Sequence, residues 1–259
     1  MTLPIIISNR FIKILGAITK GFAYIFHFIF PKMRFTIPKN SQPILKSSKH
    51  TNIPKIIWQT NYTNVVSLPV YLNYLFNRLM SLSYEHRYVS TEDRLEFINN
   101  NASKEMALAY QQLTDGASQA DLWRLFVLYT HGGIYMDIDA HVVWPLAKII
   151  KPEDTEIFLR TKKDYTNYFM AMQKGNPILK ESIDMIVDNI QKRKLGNGVY
   201  DLTGPTVINI AIGDKKVNHR LYRITCVQGS FTNEYFQYID KPRGKWTHAK
   251  KEDLLKKND

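Results

Sequence analysis

The chain has 259 residues, 44% of them hydrophobic, one cysteine and a formal net charge of +12. That length supports one sizeable core, and a lone Cys226 excludes an intrachain disulfide framework. The basic excess asks for anionic partners, a phosphate-bearing substrate or an anionic membrane surface; without zinc-finger spacing, an RNP-like aromatic string or an arginine-rich helix, nucleic acid is set aside.

Residues 3–30 are apolar but interrupted by Arg10, Lys13 and Lys20. Their longest stretch free of charge and proline, Gly21 to Phe30, is about half the ~20 residues of a spanning helix. No small-residue cleavage site follows, which argues against a secretory signal peptide. At about 100° per residue, Asn9, Lys13, Gly16, Lys20 and His27 share a narrow stripe and Ile, Leu and Phe fill the rest. The expectation is an amphipathic helix in residues 1–34 lying in a membrane interface, with Lys13, Lys20 and His27 at the headgroups. The rival expectations are a helix packed on the domain and a signal anchor that spans. Residues 35–52, rich in Pro, Ser, Lys and Asn, are expected to be a linker to a single domain over 53–259.

IPKIIWQT (53–60) reads as a buried first strand. YEHRYVSTEDRLEFI (84–98) reads as a strand and then a helix capped by Thr91. SQADLWRLFVLYT (118–130) reads as a helix stopped by Gly132 and Gly133. The strand IYMDI comes next, and a further helix covers 180–194. This alternation predicts an α/β domain with a mainly parallel sheet.

The chemistry centres on GGIYMDIDAH (132–141). With 14 Asp in the chain, roughly one D-x-D is expected by chance, so the surroundings decide its meaning. On an extended strand Tyr135, Asp137 and Asp139 face one way, and two residues span about 6.5–7 Å. Both carboxylates can therefore approach one Mg²⁺ or Mn²⁺, which keeps positions open for diphosphate oxygens. Asp121 and Arg124, three apart, share a helix face. By spacing alone they are equally a surface ion pair or part of a site.

SQADLWRLFVLYTHGGIYMDIDAHVVWPL resembles the core of the glycosyltransferases with a DXD sugar-binding region, a family that includes initiating mannosyltransferases and bacterial capsule and lipopolysaccharide enzymes, with clostridial toxin glucosyltransferases as distant relatives. IPKIIWQT, YEHRYVSTEDRLEFI, NYFMAMQKGNPIL (167–179) and DLTGPTVI (201–208) extend the resemblance, in order, over roughly residues 53–210. It implies a GT-A-type nucleotide-sugar-binding domain and a metal-dependent, configuration-retaining glycosyl transfer. It implies that Asp121 and Arg124 hold the donor sugar, that Asp137 and Asp139 hold the metal and diphosphate, and that Trp58 stacks on the base. Trp246, in RGKWTHAKK, matches an aromatic that closes over the diphosphate, although here Lys245 precedes it and His248 follows where relatives have His-Trp.

The implied function is transfer of a hexose or N-acetylhexosamine from a nucleotide sugar, UDP-linked by preference and GDP-mannose as the alternative. The acceptor would be a saccharide or lipid-linked saccharide in surface polysaccharide or lipopolysaccharide synthesis. The expected place is the cytoplasmic face of the inner membrane, bound peripherally, with a type II anchor in a secretory compartment as the alternative. Two rivals belong to other classes: a non-catalytic membrane-surface protein, and a haloacid-dehalogenase-type phosphatase. Against the latter, Gly213-Asp214 is followed by Lys-Lys-Val-Asn rather than by an acidic partner.

Overall fold

A computed structural model describes residues 3–257. The chain begins with α1 (Leu3–Ile29) and the two-residue strands β1 (Phe35–Thr36) and β2 (Asn40–Ser41). Next come β3 (Ile56–Thr60), β4 (Val65–Val66), α2 (Leu68–Met80), β5 (Glu85–Val89), α3 (Thr91–Asn101) and α4 (Lys104–Gln112). The central part holds α5 (Gly116–His131), β6 (Gly133–Met136), β7 (Ala140–Val142), α6 (Leu146–Ile149), β8 (Glu156–Arg160) and β9 (Tyr165–Met172). After α7 (Pro177–Gln191) follow α8 (Val199–Leu202), α9 (Pro205–Ile212), β10 (His219–Leu221), β11 (Cys226–Gln228) and α10 (Glu234–Gln237).

Seven strands form the central sheet in the order β10-β8-β9-β6-β3-β5-β2. Five of the seven strands, β10, β8, β6, β3 and β5, point the same way, and the sheet is mixed because β2 runs against them and β9 is antiparallel to both its neighbours. For β9 the reason is the short connection between β8 and β9, closed by a bond from the Thr161 amide to the Asp164 carbonyl (2.8 Å). So few residues allow only a hairpin, since a parallel return needs a long crossover. The stretch expected to be a linker is also partly structured: β2 pairs with β5 at the sheet edge and β1 pairs with β4. Backbone pairing at an edge needs no particular side chain, so composition did not reveal it.

Helices cover both faces. Trp58 and Tyr135 point to one cluster with Trp123 and Leu125. Their neighbours Ile57, Ile134 and Met136 point to the other, with Val142, Ile157 and Leu159. Burial on both faces is why β3 and β6 read as continuous apolar runs. The cap of α3 is Ser90, one residue before the expected Thr91: its hydroxyl accepts from the Asp93 amide (3.2 Å) and the Asp93 carboxylate accepts from the Ser90 amide (3.1 Å). Thr91 instead accepts from Arg94 (3.1 Å), and the S-x-x-D box wins because it satisfies two end amides at once.

The N-terminal helix is amphipathic, with its polar and small residues turned to the domain and its apolar face turned outward. Its docked side consists of Asn9, Ile12, Gly16, Thr19, Ala23 and His27. Ser8 donates to the Val143 carbonyl (2.8 Å), Asn9 to the Arg223 carbonyl (2.8 Å) and Lys20 to the Gly229 carbonyl (3.0 Å). The His27 Nε2 accepts from the Leu68 amide (3.1 Å). Lys20 and His27 therefore face the domain and not headgroups, because each finds a backbone partner there.

Candidate active site

Helix α5 delivers the first half of the site. Asp115 caps it, accepting from the Ala117 and Ser118 amides at 3.0 and 2.9 Å. Gly132 (φ 69°) and Gly133 (φ 103°) then turn the chain directly into β6. A Cβ on Gly133 would lie 2.7 Å from the Ile56 carbonyl oxygen, so only glycine fits between the helix end and β3. The turn thereby brings Asp121 and Arg124, two to three turns back along α5, beside the end of β6.

Strand β6 ends at Met136, so Asp137 and Asp139 lie in a turn rather than alternating along a strand. The Asp137 amide donates to the Tyr168 carbonyl (2.9 Å) and the Ala140 amide to the Asp137 carbonyl (3.0 Å). The two carboxylates nevertheless converge. Gln228 Nε2 donates to Asp137 Oδ2 (2.9 Å) and to Asp139 Oδ1 (3.2 Å). The pairing of Gln228 opposite Ala140 in the β11–β7 ladder puts that amide there.

Arg124 joins the two aspartate groups. Its Nη2 is 3.2 Å from Asp121 Oδ1 and its Nη1 3.4 Å from Asp137 Oδ1. Nη1 also donates to the Asn167 carbonyl (3.0 Å), and the guanidinium lies 4.4 Å above the Tyr135 ring. Asp121 accepts from Asn167 Nδ2 (2.9 Å) and the Thr203 hydroxyl (3.1 Å). The Tyr135 hydroxyl donates to Asp137 Oδ1 (2.6 Å). Asp121, Arg124, Asp137 and Asp139 all line one cavity of about 300 Å³. Asp121–Arg124 is a buried pair within this network, not a surface ion pair.

Trp58 is not in the cavity. It is 4% exposed, donates its indole N–H to the Gly132 carbonyl (3.0 Å), and packs edge-on against Trp123. It sits in mid-strand between two paired neighbours, where both faces are buried; the cavity begins at the strand end, with Thr60, and continues through Asn61 and Tyr62. Tyr62 stacks on Tyr238 (centroids 6.2 Å apart, 15° between planes). Trp246 does reach the cavity, at its lip and 42% exposed, in a 3-10 turn (Trp246–His248). Glu234 pins that turn through Lys245 (3.2 Å) and His248 (2.5 Å). The tail beyond is held by bonds from the Thr114 amide to the Leu254 carbonyl and from the Lys256 amide to the Gln112 carbonyl.

The electrostatics favour a cation. Desolvation and then the charge of Asp137 push the Asp139 carboxyl up to about 6, against the hydrogen bonds from Gln237 and Gln228. Desolvation also raises Asp121, against the pull of Arg124. Asp137 has Arg124 at 3.4 Å, whereas Asp139 is bonded by the neutral amides of Gln237 and Gln228; hard oxygens of this kind suit Mg²⁺ or Mn²⁺. Among the described residues no group of three or more His, Cys, Asp or Glu is placed to hold a metal ion. The protein would thus supply only Asp137 and Asp139, leaving the remaining positions to a ligand and water.

Residues 69–156 match the family described as "Glycosyltransferase sugar-binding region containing DXD motif". Through this segment, which carries Asp121, Arg124, Asp137 and Asp139, the chain is similar to the DXD glycosyltransferases. It is 27% identical over 195 residues to the initiation-specific alpha-1,6-mannosyltransferase of Schizosaccharomyces pombe, covering 64% of this chain and 49% of that protein. It is 23% identical over 195 residues to an uncharacterized glycosyltransferase of Acanthamoeba polyphaga mimivirus, covering 73% of this chain and 76% of the other. The solved PaToxG glycosyltransferase shares the fold, with a TM-score of 0.52 and 23% identity over 63% of this chain and 70% of that one. The chain spans about half the length of the mannosyltransferase it matches. The matched glycosyltransferase region holds α5 and the aspartates but neither Tyr62 nor Gln228. Gln228 carried no local signal, because only the β11–β7 pairing, some ninety positions after Asp137, brings it to the site. Thr203 stood in a recognisable Thr-Gly-Pro stretch, and only its bond to Asp121 gives it a role.

Proposed function

We propose that this glycosyltransferase moves a sugar from a nucleotide diphosphate donor to a saccharide acceptor, with a UDP-sugar as the preferred donor. The observation that carries this is the convergence of Asp121, Arg124, Asp137 and Asp139 on one cavity. Asp121 and Arg124, fixed by Asn167 and Thr203, bind and orient the sugar hydroxyls. Asp137 and Asp139 hold a divalent cation, which when bound stabilises the negative charge that builds on the departing diphosphate. Tyr62 and Tyr238, rather than Trp58, offer the aromatic face for the base. Lys245 and Trp246 stand at the lip, where they can cover the phosphates and exclude water. The acceptor class we favour is a growing surface polysaccharide or lipopolysaccharide, and transfer retains the anomeric configuration.

A mannosyl donor, GDP-mannose, is a second reading, supported by the name of the 27%-identical relative. A screen of UDP- and GDP-sugars for nucleotide release with Mn²⁺ separates the two. Asp139→Ala is expected to abolish release and transfer while the folded state persists, and EDTA to do so reversibly. Undiminished turnover in EDTA, with metal shown to be absent, overturns the metal role; no release from any donor overturns the nucleotide-sugar reading.

A further inference from the structure

Helix α1 is held to the domain along its length by its polar and small residues, from Ser8 and Asn9 to His27. At about 1.5 Å per residue these anchors span close to 30 Å. The opposite face is unpartnered and apolar: Ile7, Phe11, Ile14, Ile18, Phe22 and Ile25 are each 56–65% exposed. A helix that spends its polar groups on its own domain and turns isoleucines and phenylalanines outward has been oriented for a second apolar phase.

Charge identifies that phase. No Asp or Glu occurs before Glu85, whereas ten Lys and Arg do. On α1 itself Arg10 and Lys13 are exposed and fall on one flank of the apolar stripe at helical spacing. A self-complementary dimer through this face would place the same uncompensated cations of two copies near one another, with no carboxylate on α1 to offset them. An anionic lipid surface accepts the isoleucines and neutralises the cations together.

We propose that the outward face of α1 is a docking surface for an anionic lipid bilayer, with the helix lying parallel to the membrane and clamped to its domain. Docked in this way the helix does not cross, because anchors near both ends hold it against the domain. The same helix supports the segment that reaches the site: Lys20 bonds to the Gly229 carbonyl, next to Gln228, and Gly16 abuts the Ser230 backbone. The bilayer would therefore lie close to the cavity, within reach of an acceptor carried on a lipid. The docking argument rests on α1 alone and stands independently of which donor is used.

The test is flotation of the full-length chain with vesicles of phosphatidylcholine alone or with added phosphatidylglycerol. The expected result is co-flotation with the anionic vesicles, weakened by high salt. Ile14→Glu with Ile18→Glu is expected to reduce binding tenfold or more without moving the thermal midpoint, because both side chains lie on the exposed face of the helix. Arg10→Gln with Lys13→Gln should abolish the preference for anionic lipid with the fold equally intact. Three outcomes overturn the proposal: no vesicle binding by the folded chain, resistance to alkaline carbonate extraction (a spanning helix), or a dimer dissolved by the Ile14/Ile18 substitutions in protein that ignores vesicles.

Discussion

Trp58 and Tyr62 lie four positions apart and do different work. The Trp58 indole is enclosed by Trp123, the Gly132 carbonyl and Arg87, whose guanidinium lies 4.9 Å from its ring centre. Tyr62 is half-buried at the cavity wall. Trp58→Ala is expected to cost about 3–5 kcal/mol of stability, the usual range for emptying a buried aromatic site. Tyr62→Ala should leave the urea midpoint nearly unchanged and weaken nucleotide diphosphate binding by about 1–3 kcal/mol, the range for base stacking on an aromatic. Urea titration and calorimetry on both variants check this, and equal affinity losses would return Trp58 to the binding site. The sequence pointed to Trp58 alone; the end of β3 at Thr60 puts Tyr62 instead at the cavity wall.

The α5–turn–β6 unit sets the geometry of the aspartates. Gly133 combines φ 103° with a close approach to the Ile56 carbonyl, so Gly133→Ala adds backbone strain to a steric clash. The expected cost is about 1–3 kcal/mol or more, read as a lower thermal midpoint. Activity should fall by more than stability alone explains, because the shift passes along β6 to Asp137. An Ala variant with wild-type stability and turnover would show that the turn tolerates a side chain. At α1 the sequence supplied the amphipathic period correctly, but a helical wheel gives two faces without saying which one the protein keeps. Hydrogen-bond partners on the domain decide that, and they claimed the polar face.

Over the whole molecule, burial of neutral histidines makes stability depend on pH. His141 is fully buried between Phe76 and Phe231. Desolvation, helped by Lys13, lowers its pKa to about 4. A folded pKa below the unfolded value of about 6.5 means that the unfolded state binds the extra proton first. The contribution of the neutral ring is complete above about 6.5 and is lost as pH falls towards about 4. Relative to His141→Leu, the native chain should lose on the order of 3 kcal/mol across that window. Denaturant midpoints of both proteins from pH 7 to pH 4 provide the measurement; a difference constant with pH would overturn the assignment. The carboxyls of Asp121 and Asp139, raised on folding, act in the opposite sense, so the comparison between the two proteins carries the sign and not the raw midpoint.

By itself the sequence determined what depends on near neighbours. The α5 periodicity, its glycine stop, the apolar run of β6 and the two aspartates lie within one local stretch, and backbone sterics and helical spacing make them legible. The same holds for the amphipathic period of α1 and for the α/β alternation. Tertiary structure decided whatever depends on groups far apart in the chain. Gln228 meets Asp137 and Asp139 only through the β11–β7 ladder, Asn167 and Thr203 converge on Asp121 from separate elements, and Trp58 is enclosed because β5 and β6 both pair with β3. A hydrogen bond or a buried face needs its partner in place, and a one-dimensional pattern does not say which distant segment supplies it.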